Sequence, residues 1–339
     1  MLAIRKLISN IVYYSGLNYI FWKLKNKHIL ILAYHRVLNL DDRFKLDPTL
    51  VSTSVSNFKK QMEYLSRNYN VISIDQFYSK IGSPKKNSVI ITFDDGYIDN
   101  YTNAYPILKK YNLPATIYLS TNAVDNKEIL WWDKVSFMIQ NTKESSLILP
   151  GYKNYDLKNK SKALRRIVKD LKELKEEKKN LLIKDMEKIL EVKVKRAQNL
   201  FLSWNQINEM KKNKISFGAH TVSHPILTNI SGAKAEKEIV NSKKLIEKRI
   251  KSKVSHFSYP NGHESDFNNH IINILKKNNF TTSVTYIPGW NKKSTNPYKL
   301  NRIFVRYEDD MILFKNKLIG LDIIFGKIYR FFVKNKRKK

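Results

Sequence analysis

The stretch SVIITFDDGY, residues 88–97, carries the strongest fold signal in this chain of 339 residues. Its first six residues form an apolar run of the length typical of a buried strand. Two adjacent carboxylates, Asp94 and Asp95, follow that run directly. In parallel α/β folds, ligands and chemistry collect at the carboxyl ends of the strands. The stretch therefore predicts a central strand with a polar site at its end.

A second stretch, ISFGAHTVSHP at residues 215–225, has the same order: an apolar run precedes His220 and His224. Both motifs are therefore expected at one end of one sheet. Two imidazoles and one carboxylate would fill about three of the roughly four positions around a zinc-like ion and leave one open. The second carboxylate could then act as a base. The alternatives are a chance histidine spacing on a helix face and an acidic turn at Asp94 and Asp95.

Strand-like runs alternate with helical patterns along most of the chain. This alternation predicts βα units and a parallel sheet, with a closed barrel and an open sheet as alternatives. The predicted strands cover residues 29–34, 71–74, 88–93, 115–119, 215–219, 254–258 and 281–286.

Residues 143–199 interrupt this alternation with a long charged pattern, and we interpret them as a helical insertion. Apolar residues recur there at helical spacing, so two amphipathic helices packed on the sheet are expected, with a coiled-coil partner surface as the alternative. The insertion could also shape a substrate groove. The two sets of apolar residues are Leu164, Ile167, Val168, Leu171 and Leu174, and Leu182, Met186, Ile189 and Leu190.

The two motifs together resemble those of the polysaccharide deacetylases, the family of the NodB-homology domain and of carbohydrate esterase family 4. The resemblance extends from about residue 29 to about residue 307 and includes the segments at 31–37, 131–133 and 202–204. It implies a distorted (β/α) barrel of about seven parallel strands. It also implies metal-dependent hydrolysis of an acetyl amide, or less often of an acetyl ester, on a sugar.

The family motifs also imply roles for the four motif residues. Asp94 corresponds to the general base, and Asp95, His220 and His224 correspond to the metal ligands. The expected cofactor is a divalent metal ion, zinc first, with cobalt, nickel and manganese as alternatives.

The stretch FSYPNG at residues 257–262 resembles the third family motif, with Ser258 where that motif has an arginine. The arginine of the family pairs with the catalytic base, so another cation is expected to replace it. Arg302 and Arg306 are the candidates, with surface arginines beside an edge strand as the alternative. The expected substrate-lining residues are Tyr97, Tyr259, Pro260, Asn261 and Gly262.

The chain also lacks the late histidine that protonates the leaving amine in the family, since its last histidine is His270. His35 is the expected replacement because it follows the first predicted strand and would face the site. A histidine that titrates near neutral pH is suited to general acid catalysis. His263 is the second candidate, and a purely structural hydrogen bond is the alternative role for His35.

Basic residues exceed acidic ones by a wide margin, 62 against 30, which gives a net charge of +32. Such a surface attracts polyanions, but no nucleic-acid-binding signature occurs in the sequence. Both ends, residues 1–28 and 308–339, combine apolar and aromatic residues with lysines. We interpret them as basic amphipathic segments that bind an anionic membrane, with a docking helix and a solvated tail as the alternative for the C-terminal end. Residues 29–307 form the expected catalytic domain.

The sequence contains no cysteine and no clear secretory signal, so we expect a cytoplasmic protein at the inner face of a membrane. The expected substrate is an N-acetylated surface or lipid-linked carbohydrate, and the expected activity is that of a carbohydrate deacetylase. The alternatives are a glycan-binding homologue without turnover and a hydrolase of a non-sugar amide. The composition predicts neither the sugar nor the oligomeric state.

Overall fold

The computed structural model describes residues 2–23, 28–41, 44–80, 87–194, 199–321 and 323, with the backbone alone for residues 2, 3 and 21–23. Its helices are α1 Leu2–Tyr14, α2 Leu17–Lys23, α3 Val55–Asn68, α4 Phe77–Lys80, α5 Tyr105–Lys110, α6 Thr121–Asn126, α7 Trp131–Asn141, α8 Lys160–Lys172, α9 Glu176–Ile189, α10 Trp204–Lys211, α11 Gly232–Ile250, α12 Asn269–Lys277 and α13 Met311–Leu318. Its strands are β1 Ile29–Tyr34, β2 Arg36–Val37, β3 Val51–Thr53, β4 Asn70–Val71, β5 Ser88–Phe93, β6 Ala115–Leu119, β7 Ser146–Ile148, β8 Asn154–Asp156, β9 Ile215–Ala219, β10 His256–Ser258, β11 Thr282–Val284 and β12 Ile303–Phe304.

The main sheet follows the order β11-β10-β9-β6-β5-β1-β12, and the short strand β4 pairs with the start of β5. All pairings within this sheet are parallel. The residues just before β12 also reach the opposite edge, because Val284 of β11 forms an isolated bridge with Leu300. The sheet therefore curls into a distorted barrel of seven parallel strands, as expected, with β4 beside them.

Four predicted strands, at residues 29–34, 88–93, 115–119 and 215–219, have the predicted bounds. The strand predicted at 71–74 is wrong at its end: it stops at Val71, and a 3₁₀ turn begins at Ile74. The Gln76 side chain accepts a hydrogen bond from the Ser73 amide at 3.1 Å, which fixes that turn. The strands predicted at 254–258 and 281–286 are shorter than expected, because only three residues of each belong to the ladder.

The strand side chains fill a core shared with the surrounding helices. All six residues of β1 and of β5 are buried. Helix α3 packs against them through Phe58, Met62 and Leu65, which lie on one helix face and are fully buried. This packing fixes the carboxyl ends of the two central strands, where the functional motifs begin.

The insertion contains the two predicted helices, α8 and α9, and their apolar faces are buried in a cluster of their own. Helix α7 and a hairpin of β7 and β8, which was not predicted, complete this cluster. Leu164, Ile167 and Leu171 are buried there, so the face of α8 that could have formed a coiled-coil seam packs within the chain instead.

The N-terminal helix α1 packs on α13, where the Asn316 side chain donates to the Ser9 carbonyl at 2.7 Å. Leu313, Leu318 and Leu321 are buried, which favours the docking helix, the alternative given for this part of the C-terminal segment. The basic run at its end lies outside the described residues. No helix in the described part of the chain is both long and apolar enough to cross a bilayer.

Candidate active site

The adjacent carboxylates lie where β5 ends and the backbone turns sharply. The Asp94 amide donates to the Tyr34 carbonyl at the end of β1, at 3.0 Å. Asp95 and Gly96 then adopt left-handed φ angles of 75° and 80°. A left-handed residue other than glycine costs free energy and persists where the surroundings enforce it. The turn directs the two carboxylates to different surroundings within the same site.

The two histidines lie on a tight turn after β9, not on a helix. Thr221 and His224 both have positive φ angles, 67° and 58°. The turn is held from α11, because the Glu238 carboxylate accepts hydrogen bonds from the Val222 and Ser223 amides at 2.8 and 2.9 Å. A chance histidine spacing on a helix face is therefore excluded.

One buried oxygen and two ring nitrogens converge in this site. Nε2 of His220 and Nε2 of His224 are 3.0 Å apart, and each lies 3.6 Å from Oδ1 of Asp95. Zinc–nitrogen bonds of about 2.0–2.1 Å in tetrahedral geometry separate two ligand atoms by roughly 3.3 Å. The three atoms therefore have the separation that three ligands of one such ion require.

The surroundings of these atoms fit a bound cation. Oδ1 of Asp95 is buried without a hydrogen-bond partner among the described residues. Burial and the neighbouring Asp94 hold the pKa of Asp95 well above its usual range. Burial also lowers the pKa values of His220 and His224, which leaves their rings neutral at pH 7. Nδ1 of His220 lies 2.7 Å from the Ser258 carbonyl, so it carries the proton and Nε2 is free to bind a metal.

Asp94 forms a buried two-point ion pair with Arg302. The guanidinium donates to Oδ1 and Oδ2 of Asp94 at 2.8 and 2.7 Å, and to the hydroxyl of Ser258 at 3.1 Å. Burial alone would raise the pKa of Asp94, but Arg302 outweighs it and lowers the pKa to about 2. Arg302 thus occupies the position beside the base, with the small Ser258 next to it. Arg306 is exposed and forms no hydrogen bond or ion pair with Asp94, so the structure separates the two candidates.

His35 lies at the end of β1 and lines the same cavity as Asp94. Its amide donates a hydrogen bond to Oγ of Ser52 at 2.9 Å, and its carbonyl accepts one from the Asn100 side chain at 2.8 Å. Burial lowers the pKa of His35 to about 4, although Asp94 acts in the opposite direction. The ring is therefore neutral at pH 7 in the free protein. His263 also lines the cavity, and burial lowers its pKa.

The loop after β10 contributes two of its four predicted residues to the cavity. Tyr259 and Asn261 line it, whereas Pro260 and Gly262 shape the loop behind them. Gly262 has a φ of 70°, and a Cβ atom there would lie 2.8 Å from the Tyr286 amide nitrogen. A glycine is therefore required at this position. Pro260 and Gly262 are not among the residues that line the cavity, and their substrate contact stays a prediction.

The side chain of Tyr97, a predicted substrate contact, is fully buried and does not line the cavity. It accepts a hydrogen bond from Nε1 of Trp132 at 3.0 Å and donates to Asp133 at 2.7 Å. The Trp132 ring packs edge-on against His224, with centroids 4.5 Å apart. Through Trp132, Tyr97 thus supports the position of His224. The sequence WWD at residues 131–133, noted above as family-like, was the available signal for this support.

The site opens into a cavity of about 540 Å³ with two walls of different origin. The barrel wall consists of the residues at the strand ends, among them Asp94, Asp95, His220, His224 and Arg302. The insertion wall consists of Arg165, Val168 and Lys172, all from α8. The expectation that the insertion could shape a substrate groove agrees with this wall, but the sequence pattern did not identify its residues, because they depend on how the insertion packs over the barrel.

Comparison with known proteins agrees with this geometry. The family model described as polysaccharide deacetylase matches residues 81–283. The candidate polysaccharide deacetylase YxkH of Bacillus subtilis is 25% identical over 222 residues, which are 66% of this chain and 53% of YxkH. The poly-beta-1,6-N-acetyl-D-glucosamine N-deacetylase of Staphylococcus aureus is 36% identical over 125 residues, 34% of this chain and 43% of that protein.

The chain therefore spans about half the length of these curated relatives. Among solved structures, the deacetylase PplD of Streptococcus pyogenes in complex with acetate matches 86% of this chain and 98% of its own, with a TM-score of 0.60 and 22% identity. At that identity the similarity shows the fold alone. The barrel fold is thus shared with PplD.

Proposed function

The chain belongs to the polysaccharide deacetylase family, and on that premise we propose that it removes N-acetyl groups from a carbohydrate by metal-dependent hydrolysis and releases acetate. One observation carries the proposal: Asp95, His220 and His224 converge beside an Asp94 that is held by Arg302. The first three would hold a divalent ion, with zinc the best match to two imidazoles and one carboxylate.

A divalent ion bound there would supply Lewis-acid activation of a water molecule and of the acetyl carbonyl. The protein residues handle the protons and the geometry. Asp94, kept ionised by Arg302, removes the proton from the attacking water. Because Arg302 binds both oxygens of Asp94, the base is oriented before the substrate arrives.

The departing nitrogen requires a proton, and we assign its delivery to His35. The assignment rests on the position of His35 in the cavity and on its electrostatic interaction with Asp94. A group with a pKa of about 4 is a strong acid once it is protonated, so it must acquire its proton during the reaction. His35 would acquire this proton if the proton that Asp94 removes from the attacking water were passed on to it. His263 is the competing donor.

The substrate class follows from the chemistry of the site and from one relative. The Staphylococcus aureus relative is named for poly-beta-1,6-N-acetyl-D-glucosamine. We propose that the substrate of this chain also contains N-acetylglucosamine, as part of a surface or lipid-linked glycan. The cavity is open and larger than the metal-ligand cluster needs, which supports a substrate of more than one sugar.

The test is acetate release from N-acetylglucosamine oligomers by metal-stripped protein, with and without added zinc or cobalt. Asp94→Asn should lower kcat by roughly 10²–10⁴-fold, because it removes the base without changing the size of the side chain. The control is zinc binding by the same variant, which should persist because Asp94 is not among the three converging ligands.

The two alternatives give different results in this test. Tight zinc and oligosaccharide binding without acetate release would indicate a glycan-binding homologue. Zinc-dependent hydrolysis of simple acetamides, with no activity on sugar oligomers, would indicate a hydrolase of a non-sugar amide.

We also propose that the protein binds an anionic membrane surface through α1, at the inner leaflet, where anionic lipids are concentrated. Ile4, Leu7, Ile11 and Tyr14 recur at helical spacing and are 63, 61, 58 and 76% exposed. The opposite face is docked on the protein body through the buried Val12, which fixes the direction of the exposed stripe. The net charge of +32 adds electrostatic attraction to an anionic surface.

Co-sedimentation with phosphatidylglycerol vesicles at low salt tests this second proposal. Leu7→Glu should abolish most of the binding, because it places a carboxylate in the middle of the stripe. Leu181→Glu is the matched control, since both leucines are 61% exposed and Leu181 lies on the insertion. Equal binding by the two variants would contradict a role for α1.

A further inference from the structure

Helix α8 presents two basic residues, with one valine between them, to the active-site cavity. Arg165, Val168 and Lys172 line the cavity and recur at a spacing of three and four residues, so they share one side of the helix. The same side continues into an adjoining cavity of about 240 Å³, to which Leu164 and Lys169 contribute. The insertion wall therefore extends beyond the space directly above the metal-ligand cluster.

The two cavities form one groove. Arg165, Val168 and Lys172 line both of them, as do Asp47 and Thr49 on the other side. A ligand longer than one sugar could therefore extend from the strand ends along α8. Its distal part would meet the basic side chains of the helix.

The charges that line the adjoining cavity are unbalanced. Three cations and one carboxylate, Asp47, line the adjoining cavity. Oδ1 of Asp47 already accepts hydrogen bonds from the amide and the hydroxyl of Thr49, at 2.9 and 2.7 Å. No described residue forms a hydrogen bond or an ion pair with the side chain of Arg165 or Lys172. Asp47, Asp266 and Asp95 act on Lys172 through their charge alone, without direct contact, and Arg165 is exposed.

Among the cations of the insertion wall, Lys172 acts on the histidines of the site. Burial is the main cause of the lowered pKa values of His35, His224 and His263, and the charge of Lys172 contributes to each. Lys172 is half-buried, and burial also lowers its own pKa. Withdrawing a cation from water without a partner costs free energy, which a bound anion would offset.

We infer that the insertion wall is a subsite for a carboxylate or phosphate group on the glycan, so that the substrate is an acidic glycan or a glycosyl phosphate. Lys172 binds the anion on the acetylated sugar or on the sugar beside it, and Arg165 extends the contact along the groove. The inference rests on the proposed deacetylase function and specifies its substrate class.

Calorimetric binding to zinc-loaded Asp94→Asn protein tests the subsite without turnover. The carboxylate probe is a hyaluronan hexasaccharide, compared with its methyl ester, which keeps the sugars and removes the charges. The phosphate probe is N-acetylglucosamine 1-phosphate, compared with the methyl glycoside. The test variant carries Arg165→Gln and Lys172→Gln in addition to Asp94→Asn. The control adds Lys184→Gln and Lys188→Gln, which remove equal charge from exposed positions of α9.

At least one charged probe should bind about tenfold more tightly than its neutral counterpart, and the wall variant alone should lose this preference. The probe that shows the preference identifies the carboxylate or the phosphate as the ligand. Equal affinity for charged and neutral probes, or equal losses in the two double variants, would overturn the subsite. Acetate release from neutral oligomers by the protein with Asp94 intact reports separately on the deacetylase function.

Discussion

The two walls of the active-site cavity differ in how their polar side chains are held. On the barrel wall, Asp94 is bound at both oxygens by Arg302, and His220 is fixed by the Ser258 carbonyl. On the insertion wall, Arg165 and Lys172 have no hydrogen-bond or ion-pair partner among the described residues. Side chains with fixed partners are preorganised for chemistry, whereas long unpaired cations can adapt to a ligand. The comparison assigns the reaction to the barrel wall and the choice of substrate to the insertion wall.

The largest effect is expected from Asp95→Asn, which tests whether the barrel wall holds a metal. Acetate release should fall at least ~10³-fold, because the variant loses one ligand and with it the Lewis acid. At a zinc concentration 100 times the Kd, the free energy of unfolding of the parent protein should rise by roughly 2.7 kcal/mol, and that of the variant should rise little. Thermal unfolding with and without zinc measures this difference. An unchanged zinc-dependent rise in Tm would contradict the ligand assignment.

The next effect concerns the ion pair that orients the base. Arg302→Gln should destabilise the protein by about 3–5 kcal/mol, because it leaves the buried Asp94 without its partner. It should also lower kcat by ~10²-fold or more. Arg306→Gln is the matched control, since Arg306 is exposed and lies four residues further along the chain. Chemical denaturation and acetate release measure both effects, and similar losses in the two variants would contradict the pairing argument.

A smaller effect is expected from His35→Gln, which tests the proton donor. We expect kcat to fall ~10²-fold with little change in zinc affinity, because His35 is not among the three converging ligands. His263→Gln should change kcat by less than about threefold. The reverse order of the two variants would transfer the donor role to His263.

The barrel wall was largely predictable from the sequence because its signals are local. An apolar run followed directly by Asp94 or His220 predicts a strand, and it also predicts at which end of the strand the polar residues lie. The burial of Tyr97 was not predictable in this way. The left-handed turn at Asp95 and Gly96 directs that side chain toward Trp132 and away from the cavity, and the motif does not specify the direction.

The choice between Arg302 and Arg306 also depends on long-range structure. The two residues flank β12, and only its pairing with β1 brings Arg302 next to Asp94, more than two hundred positions away in the sequence. The insertion wall depends on tertiary packing to a still greater degree. The helical period of α8 identified its apolar face, which packs in the insertion core, but not the surface that its basic face would meet.

The smallest effect is expected from Lys169→Gln, and it tests how far the insertion wall extends. Lys169 is exposed and lines the adjoining cavity but not the main one, so only a ligand that reaches along α8 can contact it. We expect a two- to threefold rise in KM for acidic oligosaccharides of six sugars and no change for acidic disaccharides, since an exposed charge pair is worth up to about 1 kcal/mol. Steady-state kinetics with both lengths measure the difference. Equal effects on both lengths would mean that Lys169 acts through the general field of the protein, and the insertion wall would then end at Lys172.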